Sequence, residues 1–341
     1  MDYSINTDSL KPIDFSIPKV SSELNWTDTW GAIKVRWGFG RDRYIVNPGL
    51  YKVGNPTNES DVFVSANYKL SFDALRKNLT SLNAWILVID TKGVNVWCAA
   101  GKGTFGTDNI INSIKATSLD LIVKHRTIIV PQLGAVGVAA HVVHQKSGFR
   151  VEYGPVLAKD IKAFVAAGYR ASKEMRQMHF PLIERIKLIP VDLMYGKYPL
   201  LISICFLFFV SGLDKSGFLF AKMIDTSFFP VVNLISAYIA GIVIAPILLP
   251  WIPFRAFALK GALIGALVTL GISLIQDGSY IQTISFWLIN LSVSSFMTMN
   301  FTGSSTFTSL SGVKKEMKWA LPIQIVLASI GIILFIIAKL F

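Results

Sequence analysis

The stretch Asn95-Val96-Trp97-Cys98-Ala99-Ala100-Gly101-Lys102-Gly103-Thr104-Phe105-Gly106-Thr107 decides how this chain is read. It follows an apolar run, Ala84 to Ile89, that reads as a buried strand closed by Asp90. Cys98 is one of only two cysteines, and small residues surround it: Ala99, Ala100, Gly101, Gly103 and Gly106. Small side chains let a backbone come within contact distance of a flat ligand. A thiol there, on a short turn after a strand, is placed to meet something large and planar. Thr104 and Thr107 offer hydroxyls, and Thr107 is expected to cap a helix over 108–115. Three roles for Cys98 stand side by side: a buried structural thiol, a nucleophile with a base nearby in space, or one ligand to a metal already held by a macrocycle. A lone thiolate does not by itself hold zinc or an iron–sulfur cluster, which take about four ligands.

Outward from this stretch the chain alternates strands and helices. Upstream, Trp26, Trp30 and Trp37 bracket an alternating, strand-like run over 32–36 and are expected to pack as core or lid. Arg41 to Arg43 reads as a turn and Tyr44 to Val46 as a short strand ended by Asn47-Pro48-Gly49. From Asp61 onward, strands are predicted at 62–65, 84–89, 127–130 and 149–153. Helices are predicted at 71–78, 108–115, 135–145 and 158–167, the first with Ser71 as its cap. Such alternation of apolar strands with helices implies an α/β, Rossmann-like domain with a parallel sheet covered on both faces. Ligands in such sheets bind outside the carboxyl ends of the strands. Those ends carry Ser65-Ala66-Asn67, the segment from Thr91 to Cys98, and Pro131-Gln132-Leu133-Gly134, all small or polar.

The thirteen residues from Asn95 to Thr107 resemble the cap-helix motif of the mercury-methylating corrinoid proteins. Residues 64–73 resemble the matching segment of corrinoid-binding domains, including that of the corrinoid iron–sulfur protein of acetyl-CoA metabolism. The resemblance implies a cobalamin bound with its benzimidazole base off cobalt, and Cys98 as the lower axial ligand to the cobalt. It also implies contacts to the corrin or its tail from the 64–73 segment. The Asp-x-His-x-x-Gly pattern that supplies histidine to cobalt elsewhere is missing, since none of His125, His141, His144 or His179 sits in it. His141 and His144 are expected to be surface or groove histidines.

Composition divides the chain. Hydrophobic residues make up 52% and charged residues 16% of 341, and the apolar excess follows Tyr198. Five apolar runs, 198–213, 228–249, 257–275, 280–299 and 319–340, are each about long enough to span a bilayer, the first only marginally. The expected organisation is therefore a corrinoid-binding domain over 1–172, a basic amphipathic linker over 173–197, and an all-α domain of five transmembrane helices over 198–341. The net charge of +12 fits cytoplasmic flanks of membrane helices better than nucleic acid, for which no motif is present. Basic loops place the N-terminal domain in the cytoplasm, with the chain multi-pass in the inner membrane and the C-terminus outside. Residues 1–19 have no apolar core and do not read as a signal peptide. The hydroxyl-rich segment 300–313 reads as a polar connector or a docking surface.

The resemblance implies a corrinoid-dependent methyltransferase that passes a methyl group to inorganic Hg(II). A thiolate beneath cobalt would favour its leaving as a carbanion equivalent, which a soft electrophile accepts. The implied partner is a small ferredoxin-like protein with iron–sulfur clusters, acting as reductant and mercury donor; membrane lipid is the other surrounding. The alternatives are a corrinoid methyl carrier of acetyl-CoA-type one-carbon metabolism, or a non-enzymatic membrane protein that binds a corrinoid.

Overall fold

A computed structural model describes residues 17–276, 278–304 and 310–341. The chain divides into two compact units, Met1–Ala32 with Gly40–Gln177, and Ile33–Phe39 with Met178–Phe341. The first unit closes five residues beyond the expected boundary at Ser172, because Val156 donates its N–H to the Met175 carbonyl at 2.8 Å and Met175 packs on the core.

In the first unit, β1 is Lys19–Val20, α1 begins at Trp26 and runs to Arg36, β2 is Gly49–Val53, β3 is Val62–Ala66 and α2 is Lys69–Asn78. There follow β4 (Ala84–Ile89), α3 (Val96–Lys102), α4 (Thr107–Ala116), α5 (Leu119–Ile122), β5 (Thr127–Val130), α6 (Ala140–Ser147), β6 (Arg150–Tyr153) and α7 (Ile161–Ala166). The sheet order is β1-β2-β4-β3-β5-β6. β3, β4, β5 and β6 are parallel, as their apolar runs imply. Successive residues of these strands enter opposite layers. Val64, Leu87 and Val130 meet Ile110, Ile111 and Ile114 of α4, while Phe63, Ile86 and Ile129 meet Phe72 of α2 and Phe164 of α7. Each such side chain contributes about 2 kcal/mol by burial.

Several elements differ from the sequence pattern. β2 is an added strand, antiparallel to β4 with Leu50 opposite Leu87, so the sheet is mixed and not wholly parallel. Its half-exposed Tyr51 and Lys52 mask the pattern. Residues 32–36 are helical, because Asn25 and Asp28 form a capping box that starts α1. Asp28 N–H donates to Asn25 Oδ1 at 2.9 Å, and Asn25 N–H donates to Asp28 Oδ2 at 3.0 Å. Trp26, Trp30 and Trp37 are exposed, not core. Residues 44–46 make only a bridge, Ile45 to Tyr68, and α2 starts at Lys69, ahead of Ser71. The expected helix over 135–145 is a tight turn at 132–134 followed by α6. Gly137 presses on the Phe105 carbonyl and on Ala100, which holds the intervening segment out of a helix.

An ion cluster ties α1 to α2. Arg76 and Lys69 each bridge Asp28 and Asp73, at 2.6–2.7 Å. Arg76 also donates to the Ser21 and Glu23 carbonyls, at 2.6 and 3.1 Å. The long donor fork of arginine suits this multiple role.

The second unit contains α8 (Leu182–Ile186), α9 (Ile189–Tyr195), α10 (Lys197–Ser211), the hairpin β7 (Leu213–Asp214) and β8 (Gly217–Phe218), α11 (Phe220–Thr226) and α12 (Phe228–Ile239). A π-helical turn, Ala240–Ile244, joins α12 to α13 (Ala245–Leu248); α14 (Phe257–Ser273), α15 (Tyr280–Ser304) and α16 (Leu310–Leu340) complete it. Among the described residues, two helices are long and apolar enough to cross a membrane alone, Phe228–Leu248 and Gly312–Leu340. A third arises if Leu182–Tyr195 and Lys197–Ser211 form one span bent by 54°. The expectation of five spans is thus met by two or three helices on length and composition. α14 is shorter at 17 residues, and α15 is interrupted by polar side chains. Those polar groups face inward. Asn290, fully buried, donates to Asn233 Oδ1 and Thr269 Oγ1, and Thr298 donates to the Gly241 carbonyl at 2.9 Å. Gly261 and Gly265 let α14 approach Ser294 so closely that a Cβ at either would collide. Of the hydroxyl-rich segment 300–313, residues 305–309 lie outside the described residues.

Burial by itself would raise the Asp28 carboxyl, but hydrogen bonds from Lys69 and Arg76 outweigh it and hold its pKa at about 2. The unfolded value is roughly 3.9. A carboxyl depressed in this way contributes fully above the unfolded value, and the contribution is lost as pH falls from about 4 through about 2. Asp28→Asn is therefore expected to destabilise the protein by about 3 kcal/mol at pH 7, because it leaves buried cations short of a partner. The gap to the wild type should close as pH falls below about 4, measured by thermal melting across pH.

Candidate functional site

The crossover β3–α2–β4 steps to one side of β3, and β4–α3–α4–α5–β5 returns to the other. This reversal opens a crevice at the carboxyl ends of β3 and β5, where α/β sheets take ligands. Asn67 stands at the end of β3, 2% exposed, and its amide organises the neighbouring loop. Asn67 Oδ1 accepts from Thr91 N–H at 3.1 Å, Thr91 Oγ1 at 2.8 Å and Gly93 N–H at 3.0 Å, and Nδ2 donates to Asp90 Oδ1 at 3.0 Å. Thr91 also lies 2.6 Å from the Val94 carbonyl. The loop turns back through left-handed Lys92 (φ 56°) and Gly93 (φ 73°). Gly93 is required there twice over, since a Cβ would also meet Ile45 at 2.9 Å.

The loop delivers Asn95 as the N-cap of α3, where its side chain accepts from Cys98 N–H at 2.9 Å. Cys98 thus lies on a helix and not on a turn. Val96, Ala99 and Ala100 bury the inner face of α3, which leaves Trp97, Cys98, Gly101 and Lys102 on the outer side. Cys98 is a free, half-buried thiol. Gly101 lies about one turn along on the same face and offers no side chain beside the sulfur. α3 ends at Gly103 in the left-handed conformation (φ 80°), with open space above it.

The remaining predicted residues play other structural parts. Phe105 is fully buried, and Gly134 lies against its ring, where a Cβ would come within 2.5 Å. Gly106 is the N-cap of α4. Thr107 sits inside that helix, and its hydroxyl accepts from Ala139 N–H at 2.9 Å and does not cap. Thr104 N–H donates to the Ala99 carbonyl at 3.0 Å. Ser65 and Ala66 are buried within β3, the Ser65 hydroxyl lying 3.4 Å from the Ala66 carbonyl. Pro131 and Leu133 are partly buried, and Leu133 packs on the core. Gln132 differs from all of these: its Oε1 is buried with no hydrogen-bond partner, in the 132–134 turn against which α3 packs. A buried acceptor with no donor costs about 1–3 kcal/mol.

A separate cleft of about 510 Å³ lies by the amino-terminal ends of β3, β5 and β6, among Asp61, His125, Glu152 and Tyr169. Its polar groups serve one another. His125 Nε2 lies 2.9 Å from the Ser60 carbonyl, and its Nδ1 accepts from Thr127 N–H. Tyr169 donates to Asp61 at 2.8 Å, and burial together with that bond raises its hydroxyl to about 12. The chemistry-bearing thiol is not there. His141 and His144 are exposed on α6, away from any ligand cluster.

The profile of the CO dehydrogenase/acetyl-CoA synthase delta subunit family matches residues 40–165, which contain the whole crevice. Similar curated proteins include the acetyl-CoA decarbonylase/synthase complex subunit gamma of Archaeoglobus fulgidus, 29% identical over 122 residues, 35% of this chain and 26% of that protein. The subunit gamma of Methanocaldococcus jannaschii is 36% identical over 97 residues, covering 28% and 20% respectively. The corrinoid/iron-sulfur protein large subunit of Moorella thermoacetica is 32% identical over 124 residues, covering 36% and 27%. The chain spans about a quarter of the length of the curated relatives it matches.

Asn67→Ala removes the acceptor of two loop N–H groups and one hydroxyl. It is expected to cost about 2 kcal/mol and to accelerate amide exchange at Thr91 and Gly93. Asn95→Ala removes only a cap and should cost about 1 kcal/mol, with exchange faster at Cys98 alone.

Proposed function

We propose that the first unit binds a corrinoid against the outer face of α3 and that the chain is a membrane-anchored corrinoid-dependent methyl-transfer protein. The observation that carries this is the half-buried Cys98 thiol on a capped helix, beside the turn that holds the unpartnered Gln132 oxygen. The donor set fits the group. A single thiol would serve as one ligand to a metal otherwise held by its own macrocycle, and the outer face of α3 is cleared by Gly101 and Gly103 for a broad, flat molecule. Cys98 would hold the cobalt through Sγ. Gln132 would accept from an amide or hydroxyl of the corrin periphery, and Lys102, exposed one turn from Cys98, would face its acidic or amide edges. When bound, a corrinoid supplies a cobalt centre that carries a methyl group to an acceptor. The chain's own part is to fix the thiol through Asn95, to hold the crevice open through Asn67, and to shield one side with Trp97.

The acceptor separates two readings. The match of residues 40–165 to acetyl-CoA decarbonylase/synthase subunits supports a methyl carrier of one-carbon metabolism. Thiol-bound Hg(II) as the acceptor rests on the resemblance carried by the motif Asn95–Thr107, and the matches to known proteins favour the carrier. The Hg(II) reading takes a ferredoxin-like protein with iron–sulfur clusters as the reductant and partner. Methyl transfer assayed with Hg(II) and with an acetyl-CoA-forming complex in parallel decides between them.

Cys98→Ala is expected to leave the fold and corrinoid content intact, to shift the visible spectrum of the oxidised cobalt form, and to reduce methyl transfer at least about a hundredfold, the upper end of losses for a metal's supporting groups. Cys98→Thr should behave alike, since a neutral hydroxyl is a poor donor. Cys205→Ala, at an exposed position in α10, should change neither. An unchanged spectrum in Cys98→Ala would overturn the axial role. For the membrane part, reporter fusions at positions 277 and 315 are expected to report outside and inside respectively; the same side for both would sink the five-span topology.

A further inference from the structure

Within the second unit, Arg185 is a buried cation that meets no carboxylate. It stands on α8, which packs against α13, and it is 3% exposed. Its Nε has no hydrogen-bond partner, and none of the ion pairs among the described residues includes it. The acid beside it in the chain, Glu184, is engaged by Lys187 at 2.5 Å. What meets the guanidinium is the ring of Trp251, whose centre lies 5.9 Å from Arg185 Cζ. A ring face attracts a cation without neutralising it. Arginine is almost never fully buried unless paired, because taking its charge out of water is costly without an anion.

Two further observations say where the anion comes from. The first is charge. Trp251 belongs to the loop 249–256 between α13 and α14, and Lys260, 8% exposed, donates to the Leu249 and Ile252 carbonyls of that same loop. A lysine on the carbonyls that close a helix is well hydrogen-bonded, but carbonyls carry no net charge. Glu316, which reaches the far end of the loop, accepts the Ala258 N–H at 2.6 Å. Two buried cations therefore share one loop. The second observation is depth. The loop begins where Phe228–Leu248 ends, a helix long and apolar enough to cross a membrane. Just beyond that end Trp251 is 70% exposed, with Phe254 and Arg255 exposed after it. An exposed tryptophan past a spanning helix marks the headgroup level of a bilayer. Basic pockets between helices at that level take lipid headgroups.

We propose that Arg185 anchors a binding site for the phosphate group of an anionic phospholipid, at the end of the Phe228–Leu248 helix. The planar guanidinium can give two parallel N–H donors to two oxygens of one phosphate. Lys260 adds a second positive charge to the same loop. Trp251, against the guanidinium and largely exposed, links the buried cation to the outer surface of the unit. The lipid as the source of the phosphate rests on the reading of the second unit as membrane-embedded; the affinity for phosphate does not.

The test uses the full chain in a neutral maltoside detergent, with phosphatidylglycerol, phosphatidylcholine or inorganic phosphate added. Native mass spectrometry reads retained lipid, and thermal melting reads stabilisation. Expected is one phosphatidylglycerol retained by the wild type, and at least about tenfold weaker retention in Arg185→Gln, the loss that goes with hydrogen bonds to a charged group. Lys197→Gln, at an exposed lysine of the same unit, should retain lipid like the wild type. Phosphatidylglycerol should raise the melting temperature of the wild type and not that of Arg185→Gln. Should the glutamine variant not fold, Arg185→Met, which keeps an apolar stem, gives the same comparison. Equal retention of phosphatidylglycerol by the wild type and the neutral variant overturns the site. Retention of phosphatidylcholine as tight as that of phosphatidylglycerol overturns the anionic headgroup. Stabilisation by inorganic phosphate that depends on Arg185, with no phosphatidylglycerol retained, overturns the lipid and assigns the site to a soluble phosphate.

Discussion

The first unit depends on one buried amide. Asn67 closes the central strand of the sheet, and from there its oxygen and nitrogen hold the end of the next strand and the loop that follows. Burying a polar side chain to 2% exposure is costly unless its hydrogen bonds are met, and here three donors and one acceptor meet them. The result is a rigid loop at the carboxyl ends of the strands. Without it, the two left-handed residues Lys92 and Gly93 would have no reason to stay left-handed. With it, Asn95 arrives at the position from which it caps α3, and the orientation of the Cys98 thiol follows.

The glycines around that thiol divide into two kinds. Gly134 and Gly137 are small because protein backbone and the Phe105 ring occupy the space a side chain would need. Gly101 and Gly103 are on the outer side, and Gly103 has nothing near it. One pair lets α3 sit tightly on the sheet; the other leaves its outer surface low and open. The same residue type therefore both anchors the platform and clears it. The unpartnered oxygen of Gln132 lies where the two functions meet, in the turn under α3.

The second unit applies a different economy. Its helices are apolar on the outside, while in the interior Asn290 joins Asn233 and Thr269, and Thr298 donates to the Gly241 carbonyl. In an apolar surrounding, such bonds and the close approach of glycines direct which helices pair and in what register, since hydrophobicity alone does not distinguish inside from outside. That same interior polarity lowers the apolar character of α15 below that of a simple spanning helix.

The sequence by itself determined the α/β alternation, the core strands 84–89 and 127–130 to the residue, and Cys98 as the centre of the candidate site. Long apolar runs and a rare motif are local signals, legible without knowing what lies across the fold. The capping box Asn25–Asp28 and the four- and seven-residue spacing of Trp26, Trp30 and Trp37 were also legible, but the alternation of residues 32–36 masked them as a strand. Tertiary structure alone decided the rest. β2 is a strand because β4 offers it an edge to pair with, not because of its own weak pattern. Thr107 bonds to Ala139 instead of capping its helix, and Gln132 is orphaned, because partners thirty residues away in the chain set what each side chain meets. Local propensity chooses the element; contacts across the fold choose which of its atoms are left over for a ligand.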